Sequence, residues 1–105
     1  MYKGERETDI SRNLRMIDWL RAELVSTVGL LLKAMAKGSQ ELILDALAGG
    51  MIVLYVLGRR LGLTFSRIDL KVAEKLREGI ALNHETEIWY KDLSSLLVHL
   101  EGRKR

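Results

Sequence analysis

Apolar side chains recur at helical spacing along almost the whole chain. Ile10, Leu14, Ile17, Leu24, Val28, Leu31 and Met35 follow one another at intervals of three, four or seven, the stripe of an amphipathic helix. Asp9 or Ser11 is suited to cap its start. Lys37 puts a cation in its last turn, and Gly38 can take the left-handed conformation that ends it. Ser26, Thr27 and Gly29 are weak helix formers, and they predict a kink near its middle. A second helix starts at Ser39 as N-cap, with Glu41 in its first turn, and runs to about Leu61 before Gly62. A third begins at Thr64 or Ser66, where Ser66-Arg67-Ile68-Asp69 approximates a capping box. It buries Ile68, Val72 and Leu76 and closes at Gly79. A fourth runs from Glu85 to about Leu100 with Ile88, Trp89, Leu93, Leu96, Leu97 and Leu100 as its apolar set. No run alternates as a strand would, so the pattern predicts an all-α, four-helix bundle.

The second helix changes the picture of assembly. From Ala46 to Gly58 it carries thirteen residues without a charge, and a helix apolar on every side must be covered on every side. Three companion helices in 105 residues are too few for that, so a homodimer or homotetramer is expected, with Met51 to Leu57 in or beneath the interface. Thirteen residues fall short of the roughly twenty that span a bilayer, which points to a core helix and no membrane partner.

Composition narrows the chemistry. The absence of proline favours helices, and the absence of cysteine excludes disulfides, thiolate metal sites and a cysteine nucleophile. The net charge is +3, with the signs interspersed, so no strong field for nucleic acid is expected. The charged start, Met1 to Glu7, has no apolar segment of the secretory kind, and a cytoplasmic location is expected. The expected organisation is a flexible N-terminus at 1–8, one helical domain at 9–101 and a basic tail at 102–105.

The stretch from Ala22 to Met35, then Lys37-Gly38, then the apolar helix ending Leu57-Gly58-Arg59-Arg60-Leu61-Gly62, resembles the MazG-type all-α nucleoside triphosphate pyrophosphohydrolases. With Ile17-Asp18-Trp19-Leu20, Phe65 through Lys71, and His84 through Tyr90, the chain is similar over residues 9–101 to the small stand-alone MazG-like proteins of Gram-positive bacteria. The resemblance implies a Mg²⁺ site built from Glu-Glu-x-x-Glu on one helix and Glu-x-x-Asp on the next. Hard Mg²⁺ takes oxygen ligands, and helical carboxylates three or four residues apart point the same way. Such metals activate the water that releases pyrophosphate.

Carried onto this chain, the ligand positions fall on Ser26, Thr27 and Leu30, then on Ala46 and Gly49. None is a carboxylate, and no Asp or Glu occurs between Glu23 and Glu41. The expectation is therefore a catalytically degenerate MazG-like homo-oligomer that serves as a binding or structural module, with no catalytic residue, metal or cofactor. A nucleotide is kept open as its ligand. The alternative is an active Mg²⁺-dependent pyrophosphohydrolase that uses non-standard acids such as Glu23, Glu41 and Asp45.

Two residues are candidates for nucleotide contact. Trp19 could stack on a base, and Lys75 lies where the resemblance places a basic residue near the nucleotide, although Gly79 replaces the Asn expected after it. His84 and His99 lack further partners at metal-ligand spacing and read as surface residues. Arg59 and Arg60 read as complements to a helix C-terminus.

Overall fold

A computed structural model describes the backbone of residues 2–103 and the side chains of residues 8–103. It contains five helices: α1 (Tyr2–Lys37), α2 (Gln40–Arg60), α3 (Phe65–Ala81), α4 (Glu85–Tyr90) and α5 (Asp92–Gly102). No strand occurs among the described residues. The chain divides into two compact units, Met1–Phe65 and Ser66–Arg105.

The first unit is an antiparallel hairpin whose helix ends are chemically specified. Gly38 sits at φ +67°. Its N–H donates to the Met35 carbonyl at 3.1 Å, and the Ser39 N–H reaches back to the Ala34 carbonyl at 3.2 Å, the bond pair of a Schellman stop. One residue later the Ser39 hydroxyl accepts from the Leu42 N–H, so the chain reverses through two residues. Gly62, at φ +95°, ends α2 in the same way, with Leu63 N–H bonded to the Gly58 carbonyl at 3.0 Å.

Several expectations are corrected here. The first helix begins at Tyr2, not at Asp9 or Ser11, and runs unbroken through Ser26, Thr27 and Gly29. The Thr27 hydroxyl is satisfied inside the helix by donating to the Glu23 carbonyl at 2.8 Å. The buried side of α1 keeps only part of the expected stripe, with Ile17, Leu24 and Leu31 half-buried. Ile10, Leu14, Val28 and Met35 are more than half exposed, whereas Leu20 and Ala34 are buried.

The covered positions of α1 include Asn13, Ile17, Leu20, Leu24, Thr27, Leu31 and Ala34, with Glu23 half-buried beside Leu24. Those of α2 include Ile43, Ala46, Gly50, Val53 and Leu57. Both sets alternate by three and four, the spacing of a coiled-coil seam. Thr27 faces Gly50: a Cβ added there would lie 3.1 Å from the Thr27 Cγ2. The alternation then sets Leu24 against Val53, Leu20 against Leu57 and Leu31 against Ala46. The seam thus mixes large apolar residues (Ile17, Leu20, Leu24, Leu31, Ile43, Val53 and Leu57) with small ones (Thr27, Ala34, Ala46 and Gly50).

The expectation of a core helix is not met within one chain. Ala46 and Gly58 are the buried residues of α2, and the most apolar stretch of the helix, with mean hydropathy 1.8, is 11% buried. By length and composition alone α2 could cross a membrane, a property that core helices of soluble proteins share.

In the second unit, Ala73 and Leu76 are buried, while Ile68 and Val72 are half-buried. Ser66 lies inside α3, so the expected capping box does not form. Gly79 does not end that helix either. Asn83 does, at φ 54°, with His84 N–H on the Gly79 carbonyl at 3.0 Å. A Cβ at Gly79 would meet the Leu93 Cδ1 at 2.7 Å, so this glycine makes room for a neighbour. The expected fourth helix is two helices, because Lys91 adopts φ 58° between α4 and α5. Five helices therefore replace the expected four.

Candidate functional site

The five positions singled out on α1 and α2 have different surroundings. Thr27 and Ala46 belong to the seam, Ala46 buried and Thr27 packed on Gly50. Ser26 and Leu30, one turn apart, face solvent, and Gly49 is half-buried with open space where a Cβ would stand. In an antiparallel pair the same flank of each helix lies beside the same flank of the other. Leu30 and Gly49, next to the seam, and Ser26, further out, fall on one flank, together with Glu23, Lys33 and Asp45.

The carboxylates of this region do not suit a shared Mg²⁺. Glu23 lies level with Leu54 on the seam register, and Asp45 precedes Leu54 by nine residues. At 1.5 Å per residue they are separated by about 13 Å of helix, far beyond the reach of two ligands on one ion near 2 Å. Among the described residues no three His, Asp or Glu side chains group where they could hold a metal. Lys33 adds a positive charge to the same flank.

Trp19 is 56% exposed. With Arg12, Arg15 and Met16 it lines an open groove of about 420 Å³ on α1. The indole, one turn beyond Arg15 and two beyond Arg12, offers a stacking surface next to two guanidinium groups. Arg12 is 4.0 Å from Asp9, a loose surface pair that a phosphate could displace. Lys75 is exposed on α3 in the second unit.

Arg59 and Arg60 are held by local structure. The Arg59 guanidinium lies 5.0 Å from the centre of the Phe65 ring, which itself meets Tyr55 edge-on. Arg60 Nη1 donates to the Asn13 Oδ1, and Asn13 Nδ2 donates to the Arg60 carbonyl, both at 3.2 Å. The Asn13–Arg60 pair ties α1 to the end of α2. His84 caps α4 by accepting from the Thr86 N–H through Nδ1.

Sequence reasoning missed Glu87. It is buried and accepts from both the N–H and the hydroxyl of Ser94. It thereby caps the start of α5 from the preceding helix, where Lys91 supplies no side-chain cap. The Ser94 hydroxyl, then the Ser94 N–H, hold its carboxyl below the usual range against the opposing effect of burial. The signal for it would have been an acid seven residues before a serine at a helix start, a spacing that no local rule selects.

An all-helical chain built on a long antiparallel hairpin is the class of protein this geometry defines. Residues 10–93 match the MazG-like family, and the chain belongs to that family, which is related to the nucleoside triphosphate pyrophosphohydrolases. No curated protein and no solved structure shows a significant similarity to it.

Proposed function

We propose that this chain is a MazG-like module without pyrophosphohydrolase chemistry, acting in the cytoplasm as a homo-oligomeric binding or structural protein. One observation carries the reading: the positions where the resemblance puts metal ligands hold neutral side chains, two of them built into the α1–α2 seam. The remaining acids do not replace them: Glu23 stands about 13 Å along the hairpin from Asp45, and Glu41 lies one turn further from Glu23 still. Metal stabilisation of a transition state is worth several kcal/mol, and each 1.4 kcal/mol is tenfold in rate. A lone Lys33 offers charge but activates no water.

The ligand favoured for such a module is a nucleotide, held by Trp19 through its base and by Arg12 and Arg15 through its phosphates.

The test is a pyrophosphate-release screen against all ribo- and deoxynucleoside triphosphates with Mg²⁺ or Mn²⁺. The expected result is no release above the buffer blank. Turnover that survives repurification and disappears on substituting Glu23 or Asp45 would establish the alternative, an active enzyme with non-standard ligands.

A further inference from the structure

Residues 85–102 carry the pattern of one helix and form two. Trp89, Leu93, Leu96, Leu97 and Leu100 recur at steps of four, three, one and three, a single helical stripe. The chain nevertheless breaks between α4 and α5 at Lys91, whose φ is 58°. Gly, and after it Asn or Asp, take this left-handed region readily; a lysine does so at a cost. A contact outside Lys91 has to hold the bend.

That contact is Glu87 with Ser94. The buried Glu87 carboxylate accepts from both the N–H and the hydroxyl of Ser94, seven residues on. It belongs to the bent form alone. In a continuous helix the two residues stand about 10 Å apart along the axis, out of hydrogen-bond reach, and the Ser94 N–H turns to the Tyr90 carbonyl.

The straight form has gains of its own. It releases Lys91 from the left-handed region and returns the N–H groups of Asp92, Leu93 and Ser94 to backbone carbonyls. It also sets Glu87 and Lys91 as an i,i+4 pair in the favourable orientation. Against it stands the loop before α4, where the His84 N–H bond to the Gly79 carbonyl at 3.0 Å must give way as Glu85 moves off.

We propose that the α4–α5 link is a two-position hinge, held bent by the Glu87–Ser94 contact and closing into one helix over residues 85–102 when that contact is lost. Trp89 and Tyr90, each 73% exposed, end α4 and turn with it. The hinge therefore sets the direction in which these aromatic rings are presented relative to α5, and anything that binds them in one position shifts the balance.

The test is a distance measurement on the full chain. With no native cysteine, Glu85→Cys and Val98→Cys place two nitroxide labels thirteen residues apart. In one straight helix they are about 20 Å apart along the axis, and any bend at Lys91 shortens this. Electron–electron double resonance, on labelled protein diluted into unlabelled, should give the shorter distance for the parent. Glu87→Ala should move it to about 20 Å and raise the far-ultraviolet helix signal. Lys91→Val leaves Glu87 in place but puts a β-branched residue where left-handed backbone is an outlier, and it should do the same. Adding Lys91→Gly to Glu87→Ala should restore the shorter distance, because glycine bears the bend without cost.

A distance unchanged by both Glu87→Ala and Lys91→Val overturns the hinge. So does a loss of helix signal in both, which reduces Glu87 to a cap without which α4 and the start of α5 unravel.

Discussion

The Thr27 methyl packs against Gly50, whose missing side chain leaves room for it: a Cβ there would be 3.1 Å away. Its neighbour Gly49 meets nothing within 4 Å of the equivalent position. Both glycines sit inside α2, where each costs about 1 kcal/mol relative to alanine. Gly49→Ala should therefore stabilise the protein by about 1 kcal/mol. Gly50→Ala should yield clearly less, or reverse the sign, because Thr27 must give way. Paired urea denaturation curves decide this, and an equal gain from both would refute the register of the seam.

The α1–α2 reversal depends on one left-handed residue and one cap. Gly38→Ala forces a Cβ into the left-handed region and should cost roughly 1–2 kcal/mol. Ser39→Ala removes the bond to the Leu42 N–H and should cost about 1 kcal/mol. Thermal melts of the two variants should show both losses, and a neutral Gly38→Ala would contradict the stop described here.

Glu87 links stability to pH through its bonds to Ser94. Its carboxyl is held below the usual range, so its contribution is complete above the ordinary carboxylate range and is lost as pH falls through the lowered folded value. Ser94→Ala removes the leading cause and should raise the Glu87 carboxyl toward its ordinary value. Carbon-detected NMR titration of Glu87 reads that rise directly. The melting difference between the two proteins should shrink on acidification, and a difference independent of pH would show that the carboxylate is not involved.

Trp19 and Trp89 are both exposed, and Trp19 lines the α1 groove with two arginines. Stacking is worth roughly 1–3 kcal/mol per base. Trp19→Ala should thus weaken retention of a fluorescent nucleotide by about tenfold or more, and Trp89→Ala should leave it unchanged. Equal effects of the two substitutions in a fluorescence titration would remove the α1 groove as the site.

What could be read from the sequence followed the range of each signal. Gly38 and Gly62 end their helices as local rules predict, because a left-handed stop is a property of a few adjacent residues. Gly79 misled for the same reason: its role is clearance for Leu93, fourteen residues away, and Asn83 makes the stop. The break at Lys91 had no Gly or Pro to announce it, and the side chain that caps the next helix, Glu87, lies on the helix before it. Apolarity located the helices and put Ile17, Leu24 and Leu31 on the covered side of α1, but it passed over the small seam residues Thr27 and Ala34 and included Ile10, Leu14, Val28 and Met35, which are exposed. The ligand positions Ser26, Leu30, Ala46 and Gly49 came from resemblance. Only the register between the helices supplied the distance that separates Glu23 from Asp45.

The two-residue reversal at Gly38 and Ser39 also sets an order of events. Seam partners are arranged symmetrically about it: Ala34 meets Ile43, then Leu31 meets Ala46, and so outward to Leu20 and Leu57. Closing the first pair orders only a short loop, and each later pair adds little further loop entropy. The hairpin should therefore zip from its turn toward its ends, with the low contact order that makes helical proteins fold fast. Zipping leaves Val28 and Leu47 exposed on the closed hairpin. Each newly closed hairpin thus carries a sticky surface, and off-pathway aggregation should grow with protein concentration.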